Sequence, residues 1–168
     1  MKIFLIGFMG TGKTHWGRQL SEKLGLPFFD LDEQVVSHTG KSIPEIFQTD
    51  GEERFREMEK EILHLITVSH DSFVMACGGG TPCYFNNIDF MNDEGVTVWI
   101  NTHHDILVQR LMKEKDQRPL ISNLDENQLQ HFISRKMADR RIYYEQASIH
   151  VEEEPLEVER LIEKIFHA

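Results

Sequence analysis

Cysteine is scarce in this chain: Cys77 and Cys83 are the two among 168 residues, without a C-x-x-C pair or a His/Cys spacing that would hold zinc. Neither a disulfide framework nor a structural zinc site is indicated, and the usage fits a reduced, cytoplasmic protein. Long apolar runs are missing too, so no segment reads as a membrane span. The opening "MKIFLIGFM" has the lysine and short apolar stretch of a signal peptide, but Gly10, Gly12 and Lys13 interrupt it before any cleavage-type segment. Basic residues are few, 18 Lys and Arg against 28 Asp and Glu, and the resulting formal charge of −10 disfavours nucleic acid as a partner. No repeat, linker, low-complexity tract or exposed heptad stands out. With 40% apolar residues, the chain reads as a single domain over 1–168, and a monomer.

Four apolar runs, "IFLI" at 3–6, "LPFFDLD" at 26–32, "SFVMACGGG" at 72–80 and "VTVWIN" at 96–101, predict buried strands, and "ASIHV" at 147–151 a last edge strand. Between them lie helical spacings: Trp16, Leu20 and Leu24 with Gly25 as the stop; Phe55, Met58, Ile62 and Leu65; a helix around Asp105 to Lys113; Leu129, Ile133 and Met137 toward Tyr144; and Leu156, Leu161, Ile162 and Ile165. The polar stretch "KEKDQRPLISN" reads as a mobile loop. Alternating strands and helices predict an α/β fold, a mostly parallel five-stranded sheet with helices on both faces and ligands at the carboxyl ends of its strands.

The residues Gly7 to Thr14, "GFMGTGKT", satisfy G-x-x-x-x-G-K-[ST] between a strand and a helix. Glycines let backbone N–H groups of Gly10, Thr11 and Gly12 face an anion, and the helix dipole favours it. Lys13 supplies charge to the β and γ phosphates, and Thr14 offers its hydroxyl to Mg²⁺. The loop alone does not separate a kinase from a GTPase or an ATP-driven switch, although no guanine-reading N-K-x-D sequence occurs. Asp30 and Asp32 of "FFDLDE" sit two apart, so in an extended segment both face one side. One would hold waters around Mg²⁺ while the other orients or deprotonates a hydroxyl. The alternative is a polar strand end that caps the next helix.

Here the chain resembles the shikimate kinase family, small P-loop enzymes related in fold to nucleoside monophosphate kinases. The resemblance rests on "GFMGTGKT", "FFDLDE", "TGKSIPEIFQTDGEERFREMEKEIL", "CGGGTP", "RPL" and "RRIYYEQAS". It implies ATP as co-substrate, Mg²⁺, and transfer to the 3-hydroxyl of shikimate. It also implies a substrate-binding region at about 31–63 and a lid at about 112–124. On this resemblance Asp32 contacts the shikimate hydroxyls as base or orienting acceptor, and Asp30 organises the metal's waters. Arg56 and Arg140 grip the carboxylate, with Arg141 the neighbouring alternative, and Glu59 holds Arg56 in place. Gly79 and Gly80 approach the substrate through backbone, and Arg118 is the lid arginine that binds nucleotide and offers charge to the transferring group. Without the motif, Arg56 and Glu59 would read as an ordinary surface ion pair. The chain departs from the family at His15, where a second hydroxyl is usual, at Pro82, and in an approach from Arg110 to Arg118 one residue longer. The adenine contact therefore stays open between Arg110 and "HVEEEP". Rival readings are a P-loop kinase for gluconate or a nucleoside monophosphate, and a nucleotide-binding switch without turnover.

Overall fold

Strands form where apolar runs meet glycine-rich or acidic ends, and helices where the apolar spacing lengthens to three and four. The computed structural model describes residues 1–118, 120–152 and 155–167, so Pro119 of "RPL" and Glu153 and Glu154 of "HVEEEP" lie outside the described residues. In chain order the elements are β1 (Lys2–Ile6), α1 (Lys13–Leu24), β2 (Phe28–Asp30), α2 (Leu31–Thr39), α3 (Ile43–Thr49), α4 (Gly51–Ser69), β3 (Phe73–Ala76), α5 (Asn87–Glu94), β4 (Val96–Asn101), α6 (His104–Glu114), α7 (Glu126–Tyr144), β5 (Ile149–Glu152) and α8 (Val158–Phe166). Short 3₁₀ turns occupy Thr81–Cys83 and Lys115–Gln117.

The sheet order is β2-β3-β1-β4-β5, and every pairing is parallel. Parallel neighbours require crossovers, and here helices supply them on both faces. Side chains along β1 alternate between the two sides. Phe4 and Ile6 pack with Leu31, Phe55, Leu63 and Tyr144, whereas Ile3 and Leu5 pack with Leu20, Leu161 and Ile165. Each of these buried side chains is worth about 1.5–3 kcal/mol relative to exposure, which fixes the register of the central strand. A third cluster, Phe8 with Leu107, Leu111, Ile121 and Leu129, ties α6 and α7 to the loop after β1.

Two differences from the sequence reading have local causes. The "LPFFDLD" strand stops at Asp30, whose side chain accepts the Glu33 N–H at 3.2 Å and caps α2, so Asp32 sits in the first helical turn instead of an extended segment. Helices α2, α3 and α5, seven to nine residues long, bury only one to three side chains each, too few for the spacing to announce them. As expected, β5 is an edge strand.

Candidate active site

The chain leaves β1 through a loop that turns into α1 at Gly12, where φ is +81°, a conformation that a side chain would strain. That turn lets Lys13 fold back along the loop, and its Nζ donates to the carbonyls of Gly7 at 2.7 Å and Phe8 at 2.9 Å. Burial pushes the ammonium down to about 8, opposed by the nearby Asp32 carboxylate. The Thr11 hydroxyl points inward and donates to the Phe8 carbonyl at 3.0 Å, bracing the loop. Over this loop opens a cavity of about 700 Å³, walled by Gly10, Gly12, Lys13, Thr14, His15, Trp16, Asp30, Asp32, Gly78, Gly79, Arg110, Glu114 and Arg118 among others. Its size suits a nucleotide-sized ligand.

Asp30 caps the next helix, as the alternative reading had it, and also meets Thr14. One carboxylate oxygen caps α2, and the other accepts the Thr14 hydroxyl at 2.9 Å. Asp32, on the cavity wall, reaches the same space from the first turn of α2. Restricted solvation raises its carboxyl to about 6, helped by the Glu59 and Asp30 carboxylates and opposed by Lys13 and Arg56. Among the described residues no group of three or more His, Cys, Asp or Glu could hold a metal by itself. One hydroxyl beside one carboxylate fits Mg²⁺, which draws most of its ligands from water and phosphate oxygens.

Arg56 and Glu59 do not form a surface pair. Arg56 is 7% exposed and Glu59 fully buried, joined by Nη1 to Oε1 at 3.0 Å on the inner face of α4. The second Glu59 oxygen accepts the Thr81 hydroxyl at 2.8 Å. Burial nevertheless holds the Glu59 carboxyl above its ordinary range, with Arg56 and Thr81 opposing. Removing either charged partner would strand the other, a cost of about 3–5 kcal/mol.

The glycine loop completes this side. A Cβ on Gly80 would lie 2.6 Å from Arg56 Nη2, so this glycine makes room for the protein's own guanidinium, while Gly78 and Gly79 line the cavity. A Cβ on Gly79 would meet Arg140 Nη1 at 3.1 Å, and its carbonyl accepts the Tyr144 hydroxyl at 2.6 Å. Arg140 thus faces the loop. Arg141 points elsewhere, over the Trp99 ring at 5.7 Å and toward Glu145.

Arg118 reaches the cavity from the segment after α6, and its Nε and Nη2 both donate to Glu114 Oε2, at 3.2 and 3.0 Å. Arg110 lines the cavity and donates from Nη1 to the Gly10 carbonyl at 3.0 Å. His15 and Trp16 are on the wall as well, and Gln19 Nε2 contacts His15 Nε2 at 2.7 Å. Sequence reasoning missed Thr81, Glu114 and Tyr84, whose ring centroid lies 4.3 Å from Arg56 Cζ. Thr81 directly follows the triple glycine and Tyr84 comes three residues later, the one signal that pointed to them. Both cysteines are free thiols, and burial raises the Cys77 thiol.

The Shikimate kinase family model matches residues 9–168 of the chain. The shikimate kinase of Azobacteroides pseudotrichonymphae is 41% identical over 148 residues, 88% of this chain and 87% of the relative. The crystal structure of shikimate kinase from Bacteroides thetaiotaomicron superposes with a TM-score of 0.93 at 36% identity, covering 100% of this chain and 99% of that one. Shikimate kinase from Acinetobacter baumannii, solved in complex with shikimate, gives a TM-score of 0.86 at 30% identity over 99% and 93% of the two chains. The family model over nearly the whole chain, together with relatives of this identity and coverage, shows that this chain belongs to the shikimate kinase family.

Proposed function

We propose that this protein transfers the γ-phosphoryl group of ATP to the 3-hydroxyl of shikimate, giving shikimate 3-phosphate and ADP. The observation that carries the reading is the approach of two unlike half-sites: the Lys13 loop on one side, and Arg56 and Arg140 gathered at the glycine loop on the other, with Asp32 between. Two guanidinium groups suit a carboxylate, because each donates paired hydrogen bonds at fixed geometry. A phosphorylated acceptor such as a nucleoside monophosphate would meet Asp30 and Asp32, and like charge disfavours it.

The loop N–H groups of Gly10, Thr11 and Gly12 cradle the nucleotide phosphates, and Lys13 exchanges its carbonyl partners for phosphate oxygens. Arg56 and Arg140 hold the acceptor carboxylate and, with the backbone of Gly79 and Gly80, fix the ring so that its hydroxyl lies beside Asp32. Asp32 then accepts the hydroxyl proton, or a hydrogen bond from it, as the bond to the γ-phosphorus forms and the bond to the β-bridging oxygen breaks. Arg118 leaves Glu114 as the lid over 112–124 closes, placing its charge on the transferring group and excluding water. Thr14, and Asp30 through water, would hold Mg²⁺; when bound, the ion offsets phosphate charge. No nucleic-acid or membrane partner enters the proposal: the charge of −10 opposes the first, and no helix of the described residues is long and apolar enough to cross a membrane.

The division of labour is testable by initial rates. Arg56→Ala is expected to raise the KM for shikimate at least tenfold while moving the KM for ATP less than twofold. Lys13→Ala should lower kcat by about 10²-fold or more with every acceptor. Equal effects of Arg56→Ala on both substrates would return Arg56 to the scaffold.

A further inference from the structure

Hydrogen bonding alone does not fix the plane of the Arg56 guanidinium. Nη1 is committed to Glu59 at 3.0 Å, Nη2 has a looser contact with Glu52 at 3.6 Å, and the buried Nε has no hydrogen-bond partner among the described residues. What remains are surfaces. Gly80 lies so close that any Cβ there would collide with the guanidinium, and the Tyr84 ring covers Cζ at 4.3 Å, nearer than the Phe55 ring at 5.1 Å. The Tyr84 hydroxyl also donates to Glu52 Oε1 at 3.2 Å, the same oxygen that faces Arg56 Nη2.

We propose that Tyr84 is a positioning residue for the acceptor carboxylate: its ring holds the Arg56 guanidinium flat, and its hydroxyl keeps Glu52 from closing onto Nη2. The inference rests on the reading of Arg56 as a carboxylate clamp. A planar, weakly hydrated guanidinium is well matched to an aromatic face, and such contacts are strongest where water is excluded. Glu52 is the internal competitor. It is a carboxylate on the first turn of α4, one helical turn before Arg56, and full pairing there would occupy the donor that a substrate carboxylate needs. Tyr84 is half-buried on the rim of the loop, so its replacement exposes little core.

The test uses shikimate and an analogue bearing a hydroxymethyl group in place of the carboxylate, with ATP, across Tyr84→Leu, Tyr84→Phe and Arg56→Ala. Tyr84→Leu is expected to raise the KM for shikimate by about 5- to 30-fold, the range that loss of a desolvated cation–aromatic contact gives. It should leave the KM values for ATP and for the analogue within about twofold. Tyr84→Phe keeps the ring but releases Glu52, so it should recover only part of the loss; full recovery would overturn the role of the hydroxyl. An unchanged shikimate KM in Tyr84→Leu, or an equal rise for shikimate and the analogue, would overturn the role of Tyr84 while leaving the clamp standing. An unchanged shikimate KM in Arg56→Ala would overturn the clamp itself.

Discussion

At Asp32 the folded protein keeps a carboxyl that restricted solvation, Glu59 and Asp30 raise to about 6, against the pull of Lys13 and Arg56. Only the ionised form accepts the hydroxyl proton, so kcat/KM should fall as pH drops through about 6. On the alkaline side Lys13 in the empty site gives up its proton near 8, and kcat/KM should fall there too. Bound phosphate favours the ammonium, so the alkaline limb should move upward in kcat measured at saturating ATP. A kcat/KM profile flat from about pH 5 to 9 would contradict both assignments. The same shift bears on stability. Because the folded carboxyl holds its proton more tightly than the ordinary value of 3.8, its stabilising contribution is complete below that pH and is lost as pH rises through about 6. Asp32→Asn should therefore stabilise the unliganded protein at neutral pH. The gain should be on the order of 1 kcal/mol, discounted for the water that reaches an open cavity, and kcat should collapse. Urea unfolding of the variant checks the sign, and a lower midpoint would contradict it.

Helix α4 shows what a sequence can and cannot announce at the level of an element. Spacing gave its apolar stripe as Phe55, Met58, Ile62 and Leu65; Phe55 and Ile62 are buried and Met58 packs beside them, but Leu65 is exposed and Ile66 takes the core position, while the i, i+3 relation of Arg56 to Glu59 was legible. Their burial was not, because it depends on Gly80 and Thr81, more than twenty residues away in the chain. The start of α2 was legible only as the alternative of a capping strand end, because Asp30 ends a strand, caps a helix and meets Thr14 at once. At the carboxyl end of α6, Glu114 holds Arg118 at half-exposed positions, a pair worth little by itself; in the proposed function it would compete with phosphate for the same guanidinium. Glu114→Gln is expected to tighten ATP by about two- to fivefold in a nucleotide titration, since the competing carboxylate is gone. Weaker binding would mean that Glu114 orients Arg118 toward the nucleotide instead of withholding it.

Across the whole molecule, the parallel sheet brings the segments after β1, β2 and β3 to one edge, where Lys13, Asp30, Asp32, Gly78 and Gly79 share a cavity. Alternating strands and helices made that convergence legible before any strand order was known. The order β2-β3-β1-β4-β5 itself left no mark in the sequence, because each strand is a similar short apolar run. Transfer of phosphate from ATP to shikimate at this edge would be read out as ADP release from the purified protein with Mg²⁺ and ATP. Shikimate, quinate, gluconate and a nucleoside monophosphate panel would be compared, with the product identified by mass. Strong stimulation by shikimate alone is expected, with a product heavier than shikimate by one phosphoryl group. Stimulation by another acceptor with none by shikimate would contradict that transfer.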